Sequence, residues 1–178
     1  MDTIEITPAR VDDAEQILAV QHAAYRLEAE RHGAAMLPPL AESLDELIAA
    51  LDSHIVLVAR HSTGVATTRS DPVVGSVRAL VHDDTAHIGR LAVRPDLHGR
   101  GIGRQLLWAI ERSTTASVAR YELFTGHRSA RNLRMYERAG YRRIRDVPAS
   151  EQVTLIYMEK ATMRPGAGAR RVLGAPVS

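Results

Sequence analysis

The chain of 178 residues contains no cysteine, which excludes a disulfide framework, a thiol nucleophile and a cysteine-ligated zinc site. Aromatic residues are scarce, at 4%, and the formal net charge is only +2. Because the arginines are scattered along the chain and few aromatics are present to stack on bases, nucleic-acid binding is not expected. No apolar run approaches the roughly 18 residues that cross a bilayer, and the N-terminus lacks a secretory leader. We therefore expect a soluble, cytoplasmic protein that needs neither a membrane nor a metal.

What the sequence does contain fits one globular domain. Apolar residues make up 45% of the chain and charged residues 25%, enough for one substantial core. We place the domain at residues 1–162. Residues 163–178 are rich in Gly, Ala, Pro and Arg and show no periodicity, so they are expected to form a disordered tail.

Apolar periodicity predicts an alternation of strands and helices along this domain. Asp83 and Asp84 would form the turn of a hairpin, residues 61–72 would form a loop, and Trp108 would pack in the core. Strands are predicted at 3–6, 54–60, 73–82, 85–94, 141–147 and 153–160, and helices at 11–31 and 44–51.

The most informative segment, 91–104, runs from an apolar strand through a proline turn into a glycine-rich loop that opens a helix. Gly99, Gly101 and Gly103 remove three side chains where amides and the positive end of a helix dipole can meet one anion. We interpret the loop as a phosphate-binding site. A purely structural turn is the alternative.

Two common phosphate-binding patterns do not fit this loop. A P-loop requires Gly-Lys-Ser/Thr, but Gly103 is followed by Arg104 and Gln105. The Gly-x-Gly-x-x-Gly pattern of dinucleotide-binding folds is also absent from either start point, Gly99 or Gly101. Nucleoside triphosphates and NAD are therefore not expected as ligands.

A second segment, 121–141, has the pattern of a strand followed by a capped helix. Ser129 suits the N-cap and Gly140 the position after the C-terminus. Asn132 and Tyr136 lie four residues apart, so they share a helix face and can reach one elongated ligand. The alternative is that Tyr136 belongs to the core and Asn132 faces solvent.

Together, the two segments resemble the GNAT superfamily of acetyl-CoA-dependent N-acetyltransferases. That family has Gln/Arg-x-x-Gly-x-Gly/Ala after a strand, then a strand, an Asn, a Tyr four residues later and Gly-Phe/Tyr. His98 stands where the family has Gln or Arg. The resemblance covers about residues 3–160. It implies an α+β fold, an α/β/α sandwich whose mixed, mostly antiparallel sheet is splayed at the central strand between flanking helices.

The resemblance also implies a binding site for acetyl-CoA as cosubstrate. Asn132 would bind the pantetheine arm, and the Tyr136 hydroxyl would protonate the departing thiolate as general acid. Main-chain groups would pair with pantetheine at Leu91, Ala92 and Val93, and the pyrophosphate would be bound by His98, Gly99, Arg100, Gly101, Ile102, Gly103 and Arg104.

A general base must accept the proton of the attacking amine. One branch of the family has a glutamate six residues before the final Val of the strand, and His87 occupies that position here. Histidine titrates near neutral pH, so we hypothesise that His87 is the base. A strand histidine that only packs or faces solvent is the alternative, and His127 and Glu122 are weaker candidates.

The acceptor would be a primary amine of a small molecule or of a protein or peptide. Glu28, Glu30 and Glu42 would attract such a cation, but we favour ordinary exposed charges for all three. Two other functions stay open: a catalytically silent acetyl-CoA-binding sensor or subunit, and a nucleotide-binding domain. A homodimer through the closing strand pair is also compatible with the sequence.

Overall fold

The computed structural model describes residues 3–33, 37–62, 64 and 68–162. The strands are β1 (Thr3–Pro8), β2 (Ile55–Ser62), β3 (Val73–His82), β4 (Thr85–Val93), β5 (Arg120–Gly126), β6 (Arg142–Pro148) and β7 (Thr154–Ala161). The α-helices are α1 (Ala14–His32), α2 (Pro38–Ala41), α3 (Leu44–Ser53), α4 (Ile102–Thr114) and α5 (Ala130–Arg138).

All seven strands form one sheet in the order β1-β2-β3-β4-β5-β7-β6. Neighbouring strands are antiparallel, except that β4 and β5 run parallel. A parallel pair needs a crossover connection, and α4 lies in that connection. The predicted mixed, mostly antiparallel sheet is confirmed.

Helices cover the sheet on both faces. On one face, α1 and α3 pack against the sheet through Ile17 and Leu47, which contact the strands in a buried cluster that includes Val58. On the other face, α4 buries Leu106 and Ile110 completely against a second cluster. These two cores make the predicted α/β/α sandwich.

Strand β4 is distorted just beyond the point where its pairing with β5 ends. Pairing with β3 shifts so that Ser76 lies opposite Ala92 while Arg78 lies opposite Gly89. One residue of β3 therefore faces two residues of β4, which defines a β-bulge. Arg90, within the bulge, has a φ of +52°. Pairing between β4 and β5 runs only from Thr85 to His87 on β4, so the two strands diverge beyond that point, as predicted.

Several local predictions need correction. Trp108 is 59% exposed rather than core, and the Arg112 guanidinium lies 4.5 Å from its ring centroid. A separate 3₁₀ turn, Val11–Asp13, precedes α1, and the predicted 61–72 loop begins later because β2 extends to Ser62. The short helix α2, which begins at Pro38, was missed because its four residues are too few to show a period.

The predicted tail, 163–178, lies outside the described residues, so the proposed boundary at residue 162 stays a prediction. Within the described part of the chain, no helix is long and apolar enough to cross a membrane.

Candidate functional site

The glycine-rich loop lies between the end of β4 and the start of α4. Gly99 and Gly101 have φ values of +89° and +81°, a region that residues with a Cβ rarely adopt. Gly101 is the N-cap of α4 and has no side chain with which to cap the first-turn amides. The helix begins with no acidic residue in its first turn, so its positive end can accept an external anion.

Gly103 differs from the other two glycines. Its φ is not positive, and a Cβ there would make ordinary contacts, 3.5 Å from Met135 Sδ and 3.8 Å from Val93 Cγ2. Only Gly99 and Gly101 are therefore required by the backbone conformation of the loop.

His98 attaches this loop to β4. Its Nε2 lies 2.8 Å from the Val93 carbonyl oxygen, and because a carbonyl only accepts, Nε2 must carry the proton. Burial lowers the pKa of His98 below the usual value of 6.5, with the nearby Arg131 acting in the same direction and the Val93 bond opposing it. The neutral imidazole thus fixes where the loop begins.

The arginines near the loop are not equivalent. Arg94 donates two hydrogen bonds to Asp96, of 2.7 and 3.0 Å, so its charge is compensated locally. Arg100 and Arg104 are exposed on the loop and the first turn of α4.

The second predicted segment places Asn132 and Tyr136 on α5. Asn132 Nδ2 lies 3.4 Å from Thr125 Oγ1 at the end of β5. Tyr136 is 5% exposed, and burial, reinforced by Tyr25 and Glu28, raises the pKa of its hydroxyl far above 10. The phenol is therefore protonated at any physiological pH.

The predicted capping of α5 is half right. Gly140 follows the helix with a φ of +93°, as expected. Ser129 occupies the N-cap but makes no capping bond with its side chain. Its Oγ instead donates to Glu28 Oε2 and accepts from His32 Nε2 at 3.3 Å. The start of α5 is consequently joined to α1.

His87 lies at the last paired position of β4 and β5, opposite Glu122. Its side chain is 46% exposed, and its Nδ1 is 3.7 Å from Glu122 Oε1. The same carboxylate contacts Arg145 at 3.1 and 3.3 Å. His87 therefore stands where the two strands begin to diverge. His127 lies beyond the other end of β5, where Nδ1 accepts a bond of 3.1 Å from the Thr154 amide.

One cleft of about 1510 Å³ brings these features together. It follows the divergence of β4 and β5 and extends to the N-terminus of α4. Every predicted site residue lines it: His87, Leu91, Ala92, Val93, His98, Gly99, Arg100, Gly101, Ile102, Gly103, Arg104, Asn132 and Tyr136. Within the described ranges, no group of three or more metal-binding side chains is found.

The expectation that the acidic residues are ordinary exposed charges is right for one and wrong for two. Glu30 is exposed. The side chains of Glu28 and Glu42 are only 16% and 7% exposed, because each has arginine partners: Arg31 for Glu28, and the β3 and β4 arginines for Glu42.

Several residues that line the cleft were missed from sequence. Tyr25, on α1, has its hydroxyl buried, which raises its pKa to about 12. Arg78 interrupts the apolar strand β3, and a charged residue within an apolar strand was a sequence signal that could have identified it. Phe124 and Tyr157 form an aromatic pair with ring centroids 5.1 Å apart, but only the pairing of β5 with β7 brings them together.

Comparison with known proteins adds independent information. Residues 29–162 match the model of the acetyltransferase (GNAT) domain. A comparison with curated protein sequences finds no significant match.

Solved structures share the fold at low sequence identity. PaiA N-acetyltransferase from Thermoplasma acidophilum, in complex with coenzyme A, is 17% identical with a TM-score of 0.72, over 89% of this chain and 99% of that one. The ribosomal-protein-S18-alanine N-acetyltransferase from Escherichia coli has the same identity and TM-score, over 94% and 99%. YncA, a putative acetyltransferase from Salmonella typhimurium with acetyl-CoA, is 15% identical with a TM-score of 0.69, over 94% and 99%. Since the family model matches most of the chain, this protein belongs to the GNAT acetyltransferase family.

Proposed function

We propose that the protein transfers the acetyl group of acetyl-CoA to a primary amine, by direct attack within a ternary complex, and that it acts in the cytoplasm. The observation that supports this most is the cleft, which joins the open edge of β4, the N-terminus of α4 and the Tyr136 hydroxyl. The amides of the glycine loop suit an anionic pyrophosphate. The edge of β4 that faces β5 has no strand partner from Leu91 to Val93, which suits an amide-containing arm added like a strand.

His87 is the proposed base. An aliphatic ammonium has a pKa of about 10, so the amine must lose a proton before it attacks a thioester. His87 would accept that proton directly or through water, and Glu122, 3.7 Å away, would stabilise the imidazolium that results. In the transfer, a C–N bond forms and the C–S bond breaks.

Tyr136 is the proposed general acid. The phenol is protonated before the reaction, and it would donate that proton to the departing sulfur as the C–S bond breaks. A main-chain amide of β4 beside the bulge would bind the oxyanion. The proton taken by the base and the proton given by Tyr136 thus balance the reaction.

A screen of primary amines tests this function against a silent acetyl-CoA sensor. We expect isothermal titration to show binding of acetyl-CoA and CoA but not of ATP or NAD, and we expect at least one amine to release the CoA thiol catalytically. Tight CoA binding with no thiol release from any amine would favour the sensor. Binding of ATP or NAD instead would contradict the acetyl-CoA site itself.

The two kinds of glycine in the loop give a matched pair of variants. Gly101→Ala forces a residue with a Cβ into the left-handed region, which costs about 1–2 kcal/mol, so the Kd for CoA should rise about tenfold or more by titration calorimetry. Gly103→Ala, with only ordinary contacts, should keep the wild-type Kd. Equal Kd values for the two variants would show that the loop is not part of the CoA-binding site.

Tyr136→Phe removes the proposed acid while keeping the ring that packs in the core. We expect kcat to fall by about 100-fold, within the usual range for a general acid, with the Kd for acetyl-CoA changed little. Steady-state kinetics and titration calorimetry measure the two quantities. An unchanged kcat would exclude Tyr136 from catalysis.

His87→Ala and His87→Gln test the base. Both should lower kcat/KM at every pH from 6 to 9, because each removes the group that accepts the amine proton. His82→Gln, at an exposed position on the hairpin between β3 and β4, is the control and should match the wild type. If both His87 variants retain the wild-type profile, the base is another group or water.

A further inference from the structure

Two arginines on adjacent strands share a single carboxylate beside the cleft. Arg78 Nη2, from β3, lies 2.8 Å from Glu42 Oε1. Arg90 Nε, from the β4 bulge, lies 3.6 Å from Glu42 Oε2, too far for a hydrogen bond. Glu42 Oε2 also accepts a bond of 2.7 Å from Gln21 Nε2. Both oxygens of the Glu42 carboxylate therefore have partners.

This cluster has an excess of positive charge. Burial opposes ionisation of Glu42, but the bond from Gln21 and the charges of Arg78 and Arg90 hold the pKa of its carboxyl below the usual value, so Glu42 is ionised. Two guanidinium groups thus contact one buried carboxylate. The arginine side chains are only 15% and 24% exposed, so solvent compensates the remaining charge poorly.

The arginines also have unused hydrogen-bond donors. Among the residues that the structure describes, neither Arg78 Nη1 nor Arg90 Nε has a hydrogen-bond partner, although both atoms are buried. A buried donor without a partner costs free energy, more so on a charged group. Arg90 Nε lies on the Glu42 side of its guanidinium, so an anion that enters the cleft would bind Arg78 Nη1 and the charge that both guanidinium groups carry.

The positions of the three groups show from which side such an anion would come. Arg78 and Arg90 line the cleft, whereas Glu42 lies behind them and does not line it. Both arginines also act electrostatically on the Tyr25 hydroxyl, which in turn acts on Tyr136. The positive charge of the two arginines is therefore presented to the cleft that Tyr136 also lines.

Other carboxylates near this cluster already have partners. Glu46, an exposed carboxylate that acts on Arg90 and Glu42, accepts hydrogen bonds from Ser43. Glu28, which also acts on Tyr25, is paired with Arg31 and bonded to Ser129. Glu122 is paired with Arg145. Both carboxylates already have partners, whereas the two buried donors of the cluster do not.

We propose that the acceptor is an amine that also bears a carboxylate, of the free α-amino acid class, and that its carboxylate binds Arg78 and Arg90. The identification of this substrate class rests on the proposed acetyl transfer to an amine. A guanidinium binds a carboxylate through parallel N–H donors. Arg90 directly precedes Leu91, where the thioester arm is proposed to bind, so one small molecule can place its carboxylate on the arginines and its amine at the reaction centre.

Matched acceptors test the proposal. Free L-amino acids and their carboxamides differ only in the charged group, so we expect kcat/KM with acetyl-CoA to favour the best acid over its amide by about tenfold or more, as for a charge-assisted hydrogen bond. Arg78→Gln and Arg90→Gln should each reduce this ratio towards one. Arg138→Gln, an exposed cleft arginine on α5, should keep the wild-type ratio.

An unchanged Kd for CoA verifies that each variant is folded. Arg90→Lys, which keeps the positive charge, is a second variant at that position. Equal use of acids and amides by the wild-type protein, or a ratio unaffected by the Arg78 and Arg90 variants, would overturn the proposal.

If no amine is acetylated, the proposed function fails. Titration of the CoA complex with the same acids and amides then shows whether Arg78 and Arg90 form an anion-binding site. Binding of acids alone, lost in Arg78→Gln, supports the site. Equal binding of acids and amides, or no binding of either, refutes it.

Discussion

The early divergence of β4 from β5 is the constraint on which the rest of the site depends. Pairing stops after His87 and Glu122, and the bulge around Arg90 redirects β4 immediately beyond that point. A continuous parallel pair would satisfy the main chain of Leu91 to Val93 and leave no room between the strands. Because the strands separate, the cleft exists, and α4 begins at its end with unpaired amides available.

Two helices hold this opening in place from opposite faces. On one face, Leu106 and its neighbours bury α4 against the sheet, which fixes the glycine loop relative to β4, and His98 adds a hydrogen bond to Val93. On the other face, α1 is joined to α5 through the contacts of Ser129 with Glu28 and His32. The two walls of the cleft are thus set by contacts between elements distant in sequence.

Local sequence features predicted much of this, because their causes are local. The glycine loop, the Asp83-Asp84 hairpin and the spacing of Asn132 and Tyr136 each depend on a few neighbouring residues. The wrong predictions concern side chains whose partners or burial depend on residues distant in sequence. Ser129 bonds to α1 instead of its own helix, and Glu42 is buried because Arg78 reaches it from β3. Trp108 packs with Arg112 at the surface instead of entering the core, since α4 already fills its buried face with Leu106, Leu107 and Ile110.

The claim that the divergence of β4 and β5 forms a CoA site is tested most directly by amide NMR spectra of the protein titrated with CoA. The account predicts that the largest shift changes fall on the amides of Leu91, Val93 and residues 99–103, with little change along β1 and β2. Changes concentrated elsewhere, or none at saturating CoA, would contradict it.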